Sequence, residues 1–349
     1  MGRLMVVSQF QGALLGVKIG DALGLPWELF TRQRILEETD GQGVTGFGDV
    51  AERCFKEVRH LPLGASSDDW QLTAAIGRSL IRCRKFDLQD IAREHVAQMR
   101  VSTAGWGKST RQSVQEIAEW FDSSGLRGRD PQRPATAKPG TGNGVAMKIT
   151  ALGLSQTMAT DPEVQEFWHN IFSLGQMTHS DPRASLAAML IAFLVGRSVK
   201  DPFLPEIQDK QVVKLCEILS EFTWEIEDHF GVKWVLAADT LTARLRRVCL
   251  PGFLTQDPAS LAAAVGTSCF CIESVPFAIA TFLRHPTDFR AGVLEAINAG
   301  GDTDSNAAMV GALIGANVGL GGIPEEWRGF HPDFTEAVEL AMELYRVFG

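Results

Sequence analysis

The chain has 349 residues, of which 45% are hydrophobic and 21% are charged, a composition that supports a large buried core and excludes an intrinsically disordered protein. Its 42 acidic residues outnumber the 33 basic ones, giving a formal net charge of −9. This balance argues against a domain that binds nucleic acid through general neutralisation of phosphates.

The N-terminal sequence and the cysteines indicate an intracellular protein. No signal peptide is recognisable after Met1, and Val6 stands where a myristoylation motif needs Ser or Thr. The longest apolar run, Leu186 to Val195, is too short to span a bilayer. The six cysteines lack a CxxC pair and are expected to be buried, reduced thiols. We therefore expect a cytoplasmic protein that does not act at a membrane.

The first predicted helix, residues 8–23, carries a regular stripe of glycines. Gly12, Gly16, Gly20 and Gly24 recur every four residues among apolar side chains. Each glycine costs about 1 kcal/mol of helix propensity, so the stripe predicts a neighbouring helix whose backbone comes very close. The helix stops before Pro26, and residues 29–66 are predicted to be mostly loop.

The rest of the chain shows helical periodicity and helix N-caps, without an alternating strand pattern of useful length. The longest predicted loop covers residues 123–143. The pattern predicts an all-α fold in which residues 1–349 form a single compact domain. The further predicted helices lie at 72–80, 87–100, 109–122, 144–158, 161–177, 183–197, 207–230, 233–247, 258–271, 274–284, 288–299, 303–319 and 333–347.

Two acidic motifs carry the strongest chemical signal: Ser67-Asp68-Asp69 and Asp302-Thr303-Asp304-Ser305, each at the start of a predicted helix. Either motif alone is an ordinary helix cap. Both offer two carboxylates and a hydroxyl, which are donors suited to magnesium or manganese. Small residues after Asp304 would let that helix pack on the glycine stripe and draw the motifs together. Converging carboxylates repel, so convergence predicts bound cations, two in number.

Other metal motifs do not fit the spacing. An EF-hand loop starting at Asp302 would need glycine at Ala307 and glutamate at Leu313. Asp68-Asp69 resembles the acidic motif of helical terpene synthases but lacks the third acid. The seven histidines contain no HExxH pattern, so zinc is not supported.

A glycine-rich loop and a histidine are further candidates for ligand binding. The loop Gly140-Thr141-Gly142-Asn143-Gly144 could present backbone amides to a pyrophosphate, or could be a flexible connection. His179 lies at a helix junction, where it is either a ligand-facing donor or a satisfied interhelical histidine.

The order of these motifs resembles the ADP-ribosylglycohydrolase family over nearly the whole chain. The matching segments are Gly-Ala-Leu-Leu-Gly…Gly-Asp-Ala-Leu-Gly (12–24), Ser-Asp-Asp (67–69), Gly-Asn-Gly-Val-Ala-Met (142–147), Thr-His-Ser (178–180), Val-Pro-Phe-Ala (275–278) and Gly-Gly-Asp-Thr-Asp-Ser-Asn (300–306).

The resemblance implies a fold of the ADP-ribosylglycohydrolase type with two Mg²⁺ or Mn²⁺ ions. It implies that Glu28 approaches the metal site, and that His179 lines the ligand site. Relatives usually have a small residue in place of Trp70, which is therefore expected to reshape the substrate pocket, and threonine in place of Ser67 and Ser305. The implied metal ligands are Ser67, Asp68, Asp69, Asp302, Asp304 and Ser305, and the implied phosphate and distal-ribose loop is Gly142, Asn143 and Gly144.

The predicted activity is metal-dependent hydrolysis of the bond between ADP-ribose and an acceptor, with ADP-ribosylated protein arginine as the leading substrate. Glu28, Asp68, Asp69 and Asp304 are the predicted catalytic residues, and Glu28 or a ligand carboxylate would handle the proton. The alternatives are a serine- or nucleobase-linked ADP-ribose, and a non-catalytic ADP-ribose-binding or structural relative. The expected partner is an ADP-ribosylated protein or an ADP-ribose-containing small molecule, with a monomer as the default assembly.

Overall fold

The computed structural model describes residues 2–48, 61–123, 125–135, 140–156, 161–205, 208–231, 240–250 and 252–349. Within these ranges the chain consists of helices and turns, with two isolated β-bridges, so the predicted all-α class is confirmed. The helices are α1 (Gly2–Gly24), α2 (Arg32–Glu38), α3 (Asp68–Cys83), α4 (Leu88–Val101), α5 (Lys108–Asp122), α6 (Thr150–Ser155), α7 (Asp161–Thr178), α8 (Pro182–Lys200), α9 (Gln208–His229), α10 (Leu241–Val248), α11 (Pro258–Val265), α12 (Cys271–Arg284), α13 (Phe289–Asn298), α14 (Thr303–Val318), α15 (Glu325–Arg328) and α16 (Phe334–Phe348).

Several predicted helix boundaries were wrong. Among its described residues, 144–156, the predicted helix 144–158 is helical only in α6, because the residues that follow Asn143 form turns. The predicted helix 258–271 ends at Val265, where Gly266 adopts a φ of 93° and leaves the helix. The short helices α2 and α15 were not predicted, and α2 lies in the predicted loop 29–66. Parts of several predicted segments fall outside the described residues: 49–60 of the loop 29–66, 124 and 136–139 of the loop 123–143, and 157–158, 207 and 233–239 of the predicted helices.

The glycine stripe of α1 lies directly on α14, as predicted. Gly12, Gly16, Gly20 and Gly24 face the backbones of Gly315, Gly311, Ala307 and Thr303 in that order, so the two helices are antiparallel. A Cβ atom on any of the four glycines would lie 2.1 to 2.5 Å from a backbone oxygen of α14. The glycines therefore allow the backbones to touch, and the end of α1 meets the start of α14.

Helix α14 forms the centre of the fold. Nearly every residue of α14 is buried, and α1, α8, α12 and α13 pack around it. A helix that is apolar on all sides is typical of such a central position. Helix α8 is long and apolar enough to cross a membrane by length and composition, but 72% of its most apolar window is buried inside the protein.

Replacing Gly16 with alanine tests the backbone contact. The added Cβ would lie 2.1 Å from the carbonyl oxygen of Gly311, so the helices would have to separate. We expect the free energy of unfolding in urea to fall by about 1 to 3 kcal/mol or more. Alanine improves helix propensity by about 1 kcal/mol, so a stabilised variant would contradict the contact. Gly321→Ala, where a Cβ meets nothing within 4 Å, is the matched control.

Candidate active site

The antiparallel contact of α1 with α14 gathers the predicted acidic motifs at one place. The N-terminal end of α14 carries Asp302 and Asp304, and the end of α1 is followed by Glu28. The backbone amide of Leu29 donates to the carbonyl of Gly301, and the amide of Gly301 donates to the carbonyl of Phe30, each at 2.8 Å. Both Gly300 and Gly301 have positive φ, which lets this short pairing form. Glu28 is thereby held beside the acidic start of α14.

Helix α3 is attached to α1 through Asp21, a residue that was not predicted to belong to the site. Its carboxylate accepts hydrogen bonds of 2.9 Å from the Ser67 amide, the Ser67 hydroxyl and the Trp70 amide. Asp21 therefore caps the N-terminus of α3 and places Asp68 and Asp69 next to α1. An aspartate near the end of a mostly apolar, glycine-striped helix is the sequence signal that could have identified it, because such a helix is expected to be buried.

The carboxylates form two adjoining groups that share Asp304. Asp21, Asp69 and Asp304 each offer an oxygen within 4.8 Å of the others, and so do Glu28, Asp302 and Asp304. The Oδ1 atom of Asp69 is buried and has no hydrogen-bond partner among the described residues. A carboxylate oxygen in that state is a suitable ligand for a cation, since hard oxygen donors bind magnesium and manganese. The donor set thus fits divalent cations.

Burial and mutual repulsion oppose ionisation of these groups. Burial, followed by the charges of nearby carboxylates, raises the pKa of Asp68, Asp69 and Asp304 well above the usual range. Burial also raises the pKa of Asp21 to about 6, against the opposing effect of its hydrogen bonds from Ser67 and Trp70. Two full charges about 4 to 5 Å apart repel by roughly 3 to 4 kcal/mol at an effective dielectric constant of 20. A bound cation would relieve this repulsion.

The two predicted serine ligands lie inside the cluster. The hydroxyl of Ser67 donates to Asp21 or to Oδ2 of Asp69, at 2.9 and 3.0 Å. The hydroxyl of Ser305 lies 3.4 Å from the same Asp69 oxygen. Asp68 is buried nearby, with its Oδ2 atom 3.4 Å from the amide of Gly107. Five of the six predicted metal ligands, Ser67, Asp69, Asp302, Asp304 and Ser305, are therefore brought together, whereas Asp68 lines the same cavity outside the two carboxylate groups.

The glycine loop is connected directly to the acidic cluster. The side-chain amide of Asn143 donates to Oδ2 of Asp302 at 2.6 Å, and its backbone amide donates to the carbonyl of Cys269 at 2.9 Å. His179 packs beneath the loop, so a Cβ on Gly140 or Gly144 would lie 2.7 or 2.8 Å from the imidazole ring. Asn143 thus couples the loop to the carboxylates.

A cavity of about 690 Å³ opens over these groups. Its walls include the acidic cluster, the N-terminal end of α5 and the glycine loop. The predicted site residues that line it are Glu28, Asp68, Gly142, Asn143, Gly144, His179, Asp302, Asp304 and Ser305. This volume is in the range of small-molecule sites. Lys108, Ser109 and Thr110 at the start of α5 also line the cavity, beside the glycine loop, and were not predicted to belong to the site.

Trp70 is not brought to the cavity, which corrects the prediction that it shapes the substrate pocket. Its indole is buried on the other side of α3, where Nε1 donates to Glu336 of α16 at 3.1 Å. The ammonium group of Lys18 lies 4.8 Å from the ring centroid. The bulky side chain therefore joins α3 to α1 and α16 and does not line the ligand site.

Comparisons with known proteins are consistent with this arrangement. The family model described as ADP-ribosylglycohydrolase matches residues 4–349. ADP-ribosylhydrolase ARH3 of Mus musculus is 26% identical over 366 residues, covering 98% of this chain and 92% of the relative. ADP-ribosyl-[dinitrogen reductase] glycohydrolase of Rhodospirillum rubrum is 22% identical over 317 residues, covering 90% of this chain and 87% of the relative. A solved structure described as an ADP-ribosylglycohydrolase-related protein complex has the same fold, with a TM-score of 0.68 and 24% identity. The match covers 99% of this chain and 100% of that structure's chain.

Replacing Asp69 with asparagine tests the repulsion within the cluster. The raised pKa means that the folded protein holds its proton when the unfolded chain has lost it, so metal-free stability falls as pH rises above about 4. At neutral pH, metal-free Asp69→Asn should exceed the wild type in free energy of unfolding by at least about 1 kcal/mol. The difference in free energy of unfolding between the variant and the wild type should vanish near pH 3, where Asp69 is protonated in both the folded and the unfolded wild type.

Thermal denaturation with and without Mg²⁺ or Mn²⁺ completes this test. The cation should raise the midpoint temperature of the wild type, because a ligand that binds only the folded state stabilises that state. The effect on Asp69→Asn should be smaller, because the variant lacks one of the proposed carboxylate ligands. Asp209→Asn, at an exposed position of α9, is the control and should behave as the wild type. A metal-free Asp69→Asn that is less stable at neutral pH would contradict the repulsive cluster.

Proposed function

The chain belongs to the ADP-ribosylglycohydrolase family, whose enzymes hydrolyse ADP-ribose linkages, and from that premise we propose that it releases ADP-ribose from protein arginine. The observation that carries the proposal is the convergence of Glu28, Asp302 and Asp304 in the wall of the cavity, with Asp69 buried beside Asp304. Buried carboxylates with raised pKa values in a cleft are typical of a catalytic site.

We propose two divalent cations, magnesium or manganese, as cofactors. The two adjoining carboxylate groups that share Asp304, and the unpartnered Asp69 oxygen, support this number. The residues that would hold them are Ser67, Asp68, Asp69, Asp302, Asp304 and Ser305, to which the geometry adds Asp21. Bound there, such cations would supply positive charge that anchors ribose hydroxyls and lowers the pKa of a nearby water.

The protein's own carboxylates would stabilise positive charge at the anomeric carbon and would transfer the proton of the attacking water. Glycosidic bonds break through a transition state with oxocarbenium character, and the negative cluster would stabilise that positive charge. Glu28 lines the cavity beside Asp302 and Asp304 and would accept the proton of the attacking water or return it to the leaving group. Asn143 would keep Asp302 in place through its hydrogen bond.

The charges of the cavity wall favour a cationic acceptor such as arginine. Among the described residues that line the cavity, four are carboxylates and only Lys108 is a cation. A guanidinium group bound near Glu28 would meet an acidic wall and could form charge-assisted hydrogen bonds. The start of α5 with Lys108, which lines the cavity beside the glycine loop, carries the positive end of a helix dipole, which suits a pyrophosphate.

Replacement of Asp304 by alanine should abolish metal-dependent release of ADP-ribose. Asp304 belongs to both carboxylate groups, so its loss would disrupt both proposed cation sites. Release is measured by chromatography from arginine-, serine- and nucleobase-linked ADP-ribose. Asp209→Asn should retain the wild-type rate. Full activity of Asp304→Ala would contradict the two-cation proposal, and wild-type release confined to serine or nucleobase linkages would contradict the arginine proposal.

Replacement of Glu28 by glutamine should separate chemistry from binding. The amide cannot accept or deliver the proton, so kcat should fall by about 10²- to 10⁴-fold. Calorimetric titration should show that the affinity for ADP-ribose changes little, since glutamine keeps the size of the side chain. An unchanged kcat would remove Glu28 from the proton transfer, and binding of ADP-ribose without turnover by the wild type would favour a non-catalytic relative.

A further inference from the structure

A fully buried lysine lies behind the wall of the cavity. Lys148 follows the glycine loop, just before α6, and its side chain has no exposed surface. Among the described residues, no carboxylate oxygen lies within 4 Å of its ammonium nitrogen, and its one hydrogen bond is to the hydroxyl of Thr178, at 3.4 Å. A buried amine without an ion-pair partner is costly to the fold, so a functional reason is indicated.

The hydroxyl of Thr178 connects Lys148 to His179. Thr178 is the last residue of α7 and is buried, and its Oγ1 atom lies 2.9 Å from Nδ1 of His179. The three polar groups form a continuous chain from Nζ of Lys148 through Oγ1 of Thr178 to the imidazole. The far side of that imidazole lies under the glycine loop.

His179 has a single ring proton at physiological pH. Burial, and then the nearby charge of Lys148, lower the pKa of His179 to about 3, so the imidazole is neutral. In a neutral imidazole one nitrogen donates and the other accepts. Which nitrogen donates depends on the partner that the other nitrogen finds.

The chain of contacts determines that partner. Burial lowers the pKa of Lys148 to about 7, against the opposing effect of the Asp68 charge, so below that pH the amine is an ammonium group. An ammonium group has only donors, so Oγ1 of Thr178 then accepts from Lys148. The hydroxyl proton of Thr178 then needs an acceptor, and among the described residues the acceptor within hydrogen-bond reach is Nδ1 of His179. Nδ1 therefore carries no proton, and the ring proton is on Nε2.

We propose that Lys148 is a positioning residue that acts through Thr178 to hold His179 as the Nε2–H tautomer, so that His179 donates a hydrogen bond into the cavity. Nε2 lies 3.0 and 3.6 Å from the positions that a Cβ would take on Gly144 and Gly142, both of which line the cavity. A fixed donor there selects a ligand atom that accepts, such as a phosphate or ribose oxygen. The identity of the ligand as ADP-ribose rests on the proposed function.

Nitrogen NMR of the histidine rings tests the tautomer directly in the full-length protein. The protein is labelled with ¹⁵N-histidine, and the ring signals of His179 are assigned by comparison with His179→Gln. Two-bond proton–nitrogen correlations report which nitrogen is protonated. They are recorded at about pH 6, below the pKa of about 7 to which burial lowers the Lys148 amine, so that the amine is charged. We expect the proton on Nε2. A proton on Nδ1 would overturn the proposal.

Two variants test whether the chain of contacts controls the tautomer. Thr178→Val removes the hydroxyl and should give a mixture of tautomers, whereas Thr178→Ser keeps the hydroxyl and should restore the Nε2–H form. The dissociation constant of ADP-ribose should rise about tenfold in Thr178→Val. Thr223→Val, the same change at a fully buried site in α9, is the control and should alter neither quantity. Wild-type tautomer and affinity in Thr178→Val would overturn the proposal.

Lys148→Met separates positioning from a purely structural role. Methionine fills a similar volume without a buried charge, so the midpoint of unfolding should be unchanged or higher. The affinity for ADP-ribose should nevertheless fall about tenfold, with a mixture of tautomers at His179. A lower midpoint with unchanged affinity would make Lys148 structural and overturn the proposal. Because the NMR experiment needs no turnover, a wild type that hydrolyses no ADP-ribose linkage would contradict the proposed function and leave the tautomer readable.

Discussion

The contact between the backbones of α1 and α14 is the constraint on which the rest of the structure depends. Four glycines on one stripe let the helices touch without intervening side chains. Their regular pairing fixes the register of the two antiparallel helices along the length of the contact. The C-terminal end of one helix is consequently placed against the N-terminal end of the other. Glu28 and Asp21 come from the first helix and its following turn, and Asp302 and Asp304 from the second. The propensity lost at each glycine is offset by this packing.

The same contact forces carboxylates together in a buried place, which is unfavourable for the protein alone. Asp21 receives three hydrogen bonds from the start of α3, whereas Oδ1 of Asp69 receives none among the described residues. Asp21 therefore serves both the fold, as a helix cap, and the carboxylate cluster, whereas Oδ1 of Asp69 serves the cluster alone. Stability given up at a functional site in this way is common, because catalytic groups need environments that the fold would otherwise avoid.

The sequence predicted those parts of the site that follow from local patterns. The glycine period identified a close helix contact, and the two Ser/Asp motifs identified the N-termini that meet there. Asp21 was missed because its role depends on the distant start of α3. Trp70 was misinterpreted because sequence places it next to Asp69 but does not say that its indole points to Glu336. The helix predicted at 144–158 failed because long-range hydrogen bonds to Cys269 and Asp302 hold Asn143. Periodicity does not record such contacts.

The most direct test of the account is a crystal structure of the full-length protein with Mn²⁺ and ADP-ribose, measured at a wavelength where manganese scatters anomalously. We expect two anomalous peaks within the cluster of Asp21, Asp69, Asp302 and Asp304, with the ribose next to Glu28 and the pyrophosphate on the side of Gly142 and Gly144. An ADP-ribose bound in the cavity with no anomalous peak among these carboxylates would contradict it.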